Sequence, residues 1–253
     1  EELSVAGWQA AADQQPSLAE RWVRQAKRRG RQRVLSDALS GERFSGFRLL
    51  TAAAILCRRV RAGKSRAPIG ELLPTTAAGI MTNLAVLMAG RTLVNLNYSA
   101  APAAIVQAVE QAGIETIYSS ERFLQRLGAV GEEITARLPG VRLIPLEAIR
   151  QEITTVERLA TLLMVVLLPT PLLIRKVVVP SPRDQSAVIL FSSGSEGRPK
   201  GVELSQRNLI GNISQIIAVL EPRLQRDGGD CILGSLPLFH AFGLTATTLL
   251  PLL

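Results

Sequence analysis

The sequence predicts an α/β protein in which parallel sheets are flanked by helices. Three observations carry this. Between Leu72 and Pro145, short β-rich runs alternate with helix-length segments, the pattern of parallel strands joined by crossover helices. Ala187-Val188-Ile189-Leu190-Phe191 is a continuous apolar run, suited to a strand buried on both faces. The 253 residues are 47% hydrophobic and 20% charged, which is enough apolar surface for a packed core and excludes a disordered chain. Aromatics make up 4%, so that core must be aliphatic.

The elements follow in order. Ser17 and Glu20 have the spacing of a capping box and open a helix that runs to about Arg29. Leu49, Ala53, Leu56 and Val60 fall on one face of a second helix. Leu72-Leu73-Pro74 reads as a strand end, residues 76–89 as an apolar helix closed by Gly90, and Thr92–Leu96 as a strand. Pro102 begins a helix lined by Ile105, Val109 and Ala112, and Glu115–Ser119 is a strand. A helix over 121–130 and a strand over 140–145 complete the series. After Phe191 come a glycine-rich loop, a short strand at Val202-Glu203-Leu204, and Ser205 as N-cap of a helix striped by Leu209, Ile210, Ile213, Ile216, Ile217 and Leu220. Asp227-Gly228-Gly229-Asp230 is a turn, Cys231–Leu236 reads as a strand, and Pro237–Gly243 as a loop before a last helix.

This divides the chain into a first α/β region with a basic N-terminal helix (1–145), an apolar connecting segment (146–185) and a phosphate-loop region (186–253). The connecting segment holds Leu159–Ile174, uncharged but broken by Pro169 and Pro171 and flanked by Arg158, Arg175 and Lys176. It is shorter than the roughly 18–20 apolar residues a spanning helix needs. A buried helix and a helix lying in a membrane interface fit it equally well.

Charge and composition narrow the function classes. The net charge is +8, with clusters at Arg21, Arg24, Lys27, Arg28, Arg29, Arg31 and Arg33 and at Arg58, Arg59, Arg61, Lys64 and Arg66. A solvated helix face, an anionic membrane surface and nucleic acid all fit such clusters. No zinc knuckle or RNA-recognition signature accompanies them, so no nucleic-acid partner is expected. Cys57 and Cys231 do not make a disulfide scaffold, and the single histidine, His240, excludes a multi-histidine metal site. The first twenty residues are mixed and polar, unlike a signal peptide, and a cytoplasmic location is expected. The sequence opens on Glu1 and not on methionine, so an end is expected to be missing.

The chemistry is concentrated in Ser192-Ser193-Gly194-Ser195-Glu196-Gly197-Arg198-Pro199-Lys200-Gly201. Glycines let backbone N–H groups turn inward onto an anion, serine hydroxyls add donors, and Lys200 adds a point charge suited to phosphate. The loop is not a Walker A motif, because Gly194 is followed five positions later by Pro199. It is not the dinucleotide fingerprint either. The bland alternative is a flexible surface loop.

FSSGSEGRPKGV (Phe191–Val202) resembles the phosphate loop of the adenylate-forming enzymes, and SLPLFHAFG (Ser235–Gly243) resembles the next motif of that family at the expected distance. Within the family, these motifs and the stretches at 71–100 and 110–127 are most similar to the acyl-[acyl-carrier-protein] synthetase part of bacterial 2-acylglycerophosphoethanolamine acyltransferases. The resemblance implies the front portion of the family's large N-terminal domain. It implies that Ser192, Ser193, Gly194, Ser195, Glu196, Gly197 and Lys200 wrap the phosphates of ATP with Mg²⁺, with no protein metal site. It implies that His240 sits where the nucleotide and acyl sites meet, and that Phe239, Phe242 and Gly243 line an acyl pocket. For His240 and the phenylalanines, core packing is the alternative. The implied activity is that of an AMP-forming ligase. A fatty carboxylate attacks the α-phosphate of ATP, pyrophosphate leaves, and a thiol of acyl carrier protein or CoA takes the acyl group, in a role linked to phospholipid acylation. The implied location is the cytoplasm, with a peripheral site on the inner face of the bacterial inner membrane as the finer expectation.

Later family motifs, including Tyr-Gly-x-Thr-Glu and the catalytic lysine domain, find no counterpart here, so this chain alone is expected not to complete adenylation. The His-x-x-x-x-Asp acyltransferase motif is also not met, since Thr245 stands five positions after His240. Two other readings stay open: a non-catalytic nucleotide- or acyl-binding remnant, and a basic membrane-surface or nucleic-acid protein whose glycine loop is incidental.

Overall fold

The computed structural model describes residues 16–193, 199–220 and 230–253. Helix α1 (Leu18–Arg29) starts at the expected capping box. The Glu20 N–H donates to Ser17 Oγ at 3.2 Å, and the Ser17 N–H donates to the Glu20 carboxylate at 2.8 Å. Two N–H groups that the helix itself cannot satisfy are thereby paired. Leu18, Trp22, Val23 and Ala26 form its buried stripe, while Arg24 and Arg28 face solvent.

An antiparallel hairpin follows, β1 (Arg33–Ser36) against β2 (Arg43–Ser45). The Asp37 carboxylate closes it by accepting from the N–H groups of Leu39 (2.9 Å) and Ser40 (3.2 Å). Strands this short carry too few alternations to be read from the sequence. Helix α2 (Gly46–Ala62) then crosses α1 with backbone contact: a Cβ on Gly46 would lie 2.3 Å from the Ala26 carbonyl oxygen.

The main sheet is built from β3 (Ile69–Leu72), β4 (Leu93–Asn95), β5 (Thr116–Ser119), β6 (Arg142–Pro145), β7 (Ser186–Ser193) and β8 (Pro199–Ser205). Their spatial order is β6-β5-β3-β4-β7-β8. All neighbours are parallel except β7 and β8, which form an antiparallel hairpin. The sheet is therefore mixed, with one antiparallel edge strand on a parallel body.

Helices α3 (Ala77–Met88) and α4 (Pro102–Ala112) connect β3 to β4 and β4 to β5. The expected helix over 121–130 is two helices, α5 (Glu121–Leu127) and α6 (Ala129–Ala136), broken at Gly128, whose φ of 57° a helix interior does not accept. The long crossover from β6 to β7 contains α7 (Leu146–Glu152), α8 (Thr155–Leu167) and α9 (Thr170–Val177). Helix α10 (Gln206–Leu220) follows β8. Ser205 caps it by accepting the Asn208 N–H at 3.2 Å, as expected. The chain closes with α11 (Ala241–Leu244), a π-helical turn (Thr245–Leu249) and a last helical turn, α12 (Leu250–Leu252).

Residues alternate between two cores, one on each face of the sheet. Ile69, Leu93, Tyr118, Val188 and Leu190 face α1, α2, α3 and α10. Leu72, Val94, Ile117 and Ile189 face α4, α5 and α6. Strands covered on both faces explain the near-continuous apolar runs in the sequence. Residues 231–236 are not a strand. They run exposed, with no ladder partner among the described residues, and Leu233 is 82% accessible.

The strand order puts a switch at the centre of the sheet. From β3 the chain steps to β4 on one side, returns to β5 and β6 on the other, and crosses back to β7 beside β4. In open α/β sheets, ligand crevices form outside the carboxyl ends of strands at such a switch.

Candidate active site

Loop 235–243 lies over those carboxyl ends and is tied to them. The Thr75 hydroxyl, just after β3, donates to the Leu236 carbonyl at 3.1 Å. The Asn95 amide, at the end of β4, donates to the Leu238 carbonyl at 3.1 Å. Leu238 and Phe239 are buried, and the His240 N–H turns back to the Pro237 carbonyl at 3.1 Å. His240 takes the N-cap position of α11 with its imidazole exposed. The helix that follows starts against the loop itself. A Cβ on Gly243 would lie 2.2 Å from the Pro237 carbonyl oxygen, so only glycine fits. Thr247 and Thr248 donate their hydroxyls to the Gly243 carbonyl at 2.8 and 2.9 Å, which holds the π-helical turn. Such turns recur at functional sites.

An aromatic row fixes the imidazole from behind. The ring of Phe123 packs edge-on against Tyr98 at 5.2 Å, Tyr98 against Phe239 at 5.1 Å, and Phe239 lies 4.7 Å from the His240 ring. Edge-to-face pairs of this kind are favourable beyond the area they bury. Burial pushes the Tyr98 hydroxyl above its ordinary range, so it stays a neutral phenol.

The glycine-rich segment leaves from β7, the neighbour of β4. In the β7–β8 ladder Ser192 stands opposite Lys200, and the Ser192 hydroxyl lies 3.4 Å from the Lys200 carbonyl. Both residues are exposed. Ser193 pairs with Pro199 in the same ladder. Gly194, Ser195, Glu196 and Gly197 lie outside the described residues.

Beneath loop 235–243 is a polar patch that the motifs do not announce. Glu71 of β3 and Asn95 of β4 are register partners, so they stand side by side on one face. Glu71 is buried, and neither carboxylate oxygen has a hydrogen-bond partner. Burial raises its pKa well above the ordinary glutamate value, because desolvation favours the protonated form. Asn83 of α3 is also fully buried without a partner for its amide. The signal available in the sequence was two polar residues, Glu71 and Asn95, inside strands that are otherwise apolar.

A cavity of about 540 Å³ opens beside the loop, between α10 and α11 with its π-helical turn. Ile216, Val219, Ile232, Phe242, Ala246 and Leu250 supply most of its wall. Of the three residues expected to line an acyl pocket, Phe242 stands on this wall, Phe239 faces Tyr98, and Gly243 is enclosed by the backbone of Pro237.

A family model described as AMP-binding enzyme matches residues 22–253. The chain belongs to the AMP-binding enzyme family. This family member is 41% identical over 68 residues to long-chain-fatty-acid–CoA ligase 5 of Mus musculus, a match that covers 27% of this chain and 10% of the mouse protein. Its fold is similar to that of VinN, with a TM-score of 0.72 at 14% identity, over 94% of this chain and 54% of VinN. It is also similar to the ATP-bound MatB of Rhodopseudomonas palustris, with a TM-score of 0.65 at 17% identity, over 92% of this chain and 43% of MatB. The architecture is thus that of the N-terminal domain of adenylate-forming enzymes, and the chain spans about half the length of these structural relatives.

Proposed function

We propose that this protein takes part in an AMP-forming acyl ligase reaction, in which a long-chain fatty carboxylate is activated by ATP and passed to a thiol. The observation that carries this reading is the placement of two motif segments at the sheet's switch. Ser192 ends β7, the neighbour of β4, and stands opposite Lys200 of β8, while His240 stands on a loop tied to Thr75, just after β3, and to Asn95, at the end of β4.

The donor chemistry fits ATP. Ser192 and Lys200, with Ser193, Gly194, Ser195, Glu196 and Gly197 between them, offer hydroxyls, backbone N–H groups and a cation to the β- and γ-phosphates. That neutralisation is what a carboxylate needs in order to approach the α-phosphate. Mg²⁺ enters in this reading as the nucleotide's counter-ion. Among the described residues no cluster of three His, Cys, Asp or Glu stands ready to hold a metal. His240 orients the carboxylate and the α-phosphate where the two sites meet. The apolar cavity bounded by Phe242 and Ala246 suits an alkyl chain, and its volume is in the usual range for small-molecule sites.

The finer reading follows the subgroup resemblance: the acceptor thiol is that of acyl carrier protein, with CoA the alternative, and the product serves phospholipid acylation at the inner face of a bacterial inner membrane. The test has two parts. Titration of the chain with Mg-ATP is expected to show binding that Lys200→Ala weakens by about tenfold or more, the loss of one charge-assisted contact. Fatty-acid-dependent ATP–pyrophosphate exchange is then measured on the full gene product, with His240→Ala as the variant expected to lower it. ATP binding without exchange in the full product would leave a nucleotide-binding remnant in place of the ligase. Failure to bind ATP would remove both readings.

A further inference from the structure

Helix α8 is strongly apolar, with Val156, Leu159, Leu162, Leu163, Met164, Val165, Val166 and Leu167 in its thirteen residues, while its polar Glu157 and Thr161 turn toward Arg58 of α2. The apolar face of a surface helix ordinarily turns to the core. Only Thr161 and Val165 of α8 are buried here. Its outer face, continued by Leu172 of α9, is open, with Val156 75% and Leu167 72% accessible. Contiguous apolar patches rimmed by charge mark interaction or membrane sites.

The rim is cationic. Arg158, Arg175 and Lys176 are exposed beside the patch. Between Ile153 and Pro182 the one acid is Glu157, and it is neutralised: Arg58 and Arg59 of α2 bind it at 3.1 and 2.9 Å. The elements behind add further positive charge. Lys27 of α1 donates to the Leu168 carbonyl at the α8–α9 junction, and Arg61 of α2 lies against the Lys176 carbonyl at 3.5 Å. Glu152, on α7, is the nearest acid on the N-terminal side of the segment.

We infer that the outer face of α8 and α9 docks on an anionic lipid bilayer. The apolar side chains enter the boundary between headgroups and acyl chains, while Arg158, Arg175 and Lys176 meet the acidic headgroups. Charge argues against a second copy of this chain as the occupant. A two-fold contact would set the same three cations against themselves. Pro169 and Pro171 divide the segment into two short helices, so it lies along a surface and does not cross it; among the described residues no helix is long and apolar enough to span a membrane. This surface gives the membrane role of the proposed ligase a physical basis, but it is tested apart from it, since vesicle binding requires neither ATP nor acyl transfer.

The experiment is co-sedimentation of the full chain with phosphatidylcholine vesicles, with and without phosphatidylglycerol, across a salt series. Binding is expected only with phosphatidylglycerol, and high salt should release it. The triple variants Leu159→Ser/Leu163→Ser/Leu167→Ser and Arg158→Gln/Arg175→Gln/Lys176→Gln should each weaken partitioning on the order of a hundredfold. Solution mass and melting temperature should stay those of the parent. No binding to the acidic vesicles, or equal binding by the serine variant, would overturn the inference. So would a serine variant with a lower melting temperature or altered solution mass, because the face would then be covered by protein.

Discussion

Helices α3 and α8 are nearly equal in length and both strongly apolar, yet α3 buries ten of its twelve residues and α8 two of its thirteen. The difference is one of place. Helix α3 joins adjacent parallel strands, β3 to β4, and is pressed between the sheet, α1 and α2. Helix α8 belongs to a crossover that passes outside α2 and touches it along one side. Apolar composition states how much surface a helix wishes to lose. The topology decides whether anything is there to cover it.

The largest expected effect sets the two helices directly against each other. Leu84→Ala in α3 empties a site that is 2% exposed and should cost about 2–5 kcal/mol by chemical denaturation. Leu163→Ala in α8 should stay within about 0.5 kcal/mol. Comparable losses at the two positions would mean that α8 is covered.

A second effect is read in pH. Glu71 lies against α3, and its folded pKa is raised by burial. Above the ordinary glutamate value of about 4.3 the folded state therefore holds a proton that the unfolded state releases, so stability falls as pH rises toward the folded pKa, at up to about 1.4 kcal/mol per pH unit. Glu71→Gln should remove that slope in unfolding experiments run across the pH range. An unchanged slope would assign it to another group.

Next in size is the contact between α3 and the motif loop. A Cβ on Gly79 would lie 2.9 Å from Leu238 Cδ1, 2.9 Å from the Pro74 carbonyl and 3.0 Å from Glu71 Oε1. Gly79→Ala should cost about 1–3 kcal/mol and shift the loop that carries His240, visible as a weaker Mg-ATP or fatty-acid affinity. A stable variant with parental affinities would show that the loop does not depend on this contact.

The smallest effect belongs to α8. Hydrogen bonds from Arg59 and Arg58 hold the Glu157 carboxyl below its usual range. Its contribution is present above the ordinary glutamate pKa and is lost as pH falls through the lowered one. Because these side chains are only partly withdrawn from solvent, Glu157→Gln should cost about 1 kcal/mol at neutral pH and nothing in acid. A larger loss would make α8 a structural strut and not an outward-facing element.

Much of the site's location was legible. The glycine-rich run and Leu238-Phe239-His240 are contiguous segments whose chemistry is local, and the segments that flank them lie at the switch of the sheet. What lay out of reach were the residues that hold them: Thr75, Asn95 and Tyr98 come from other strands and meet the loop only once β3 and β4 are adjacent. Glu71 reads as a strand polar residue until α3 covers it. The apparent strand at 231–236 failed for the same kind of reason, since a strand needs a partner and none of the described residues supplies one.

By itself the sequence determined the α/β class, the capping box at Ser17 and Glu20, the helix stripes and the glycine- and serine-rich composition of the loop after β7. Each depends on neighbours within a few residues, where spacing alone fixes geometry. Only the tertiary structure decided that β8 runs antiparallel, that Phe239 faces Tyr98 while Phe242 faces a cavity, and that α8 stays open while α3 is enclosed. Those outcomes depend on which elements become neighbours, and that is set by strand order and crossover paths, which no local pattern encodes.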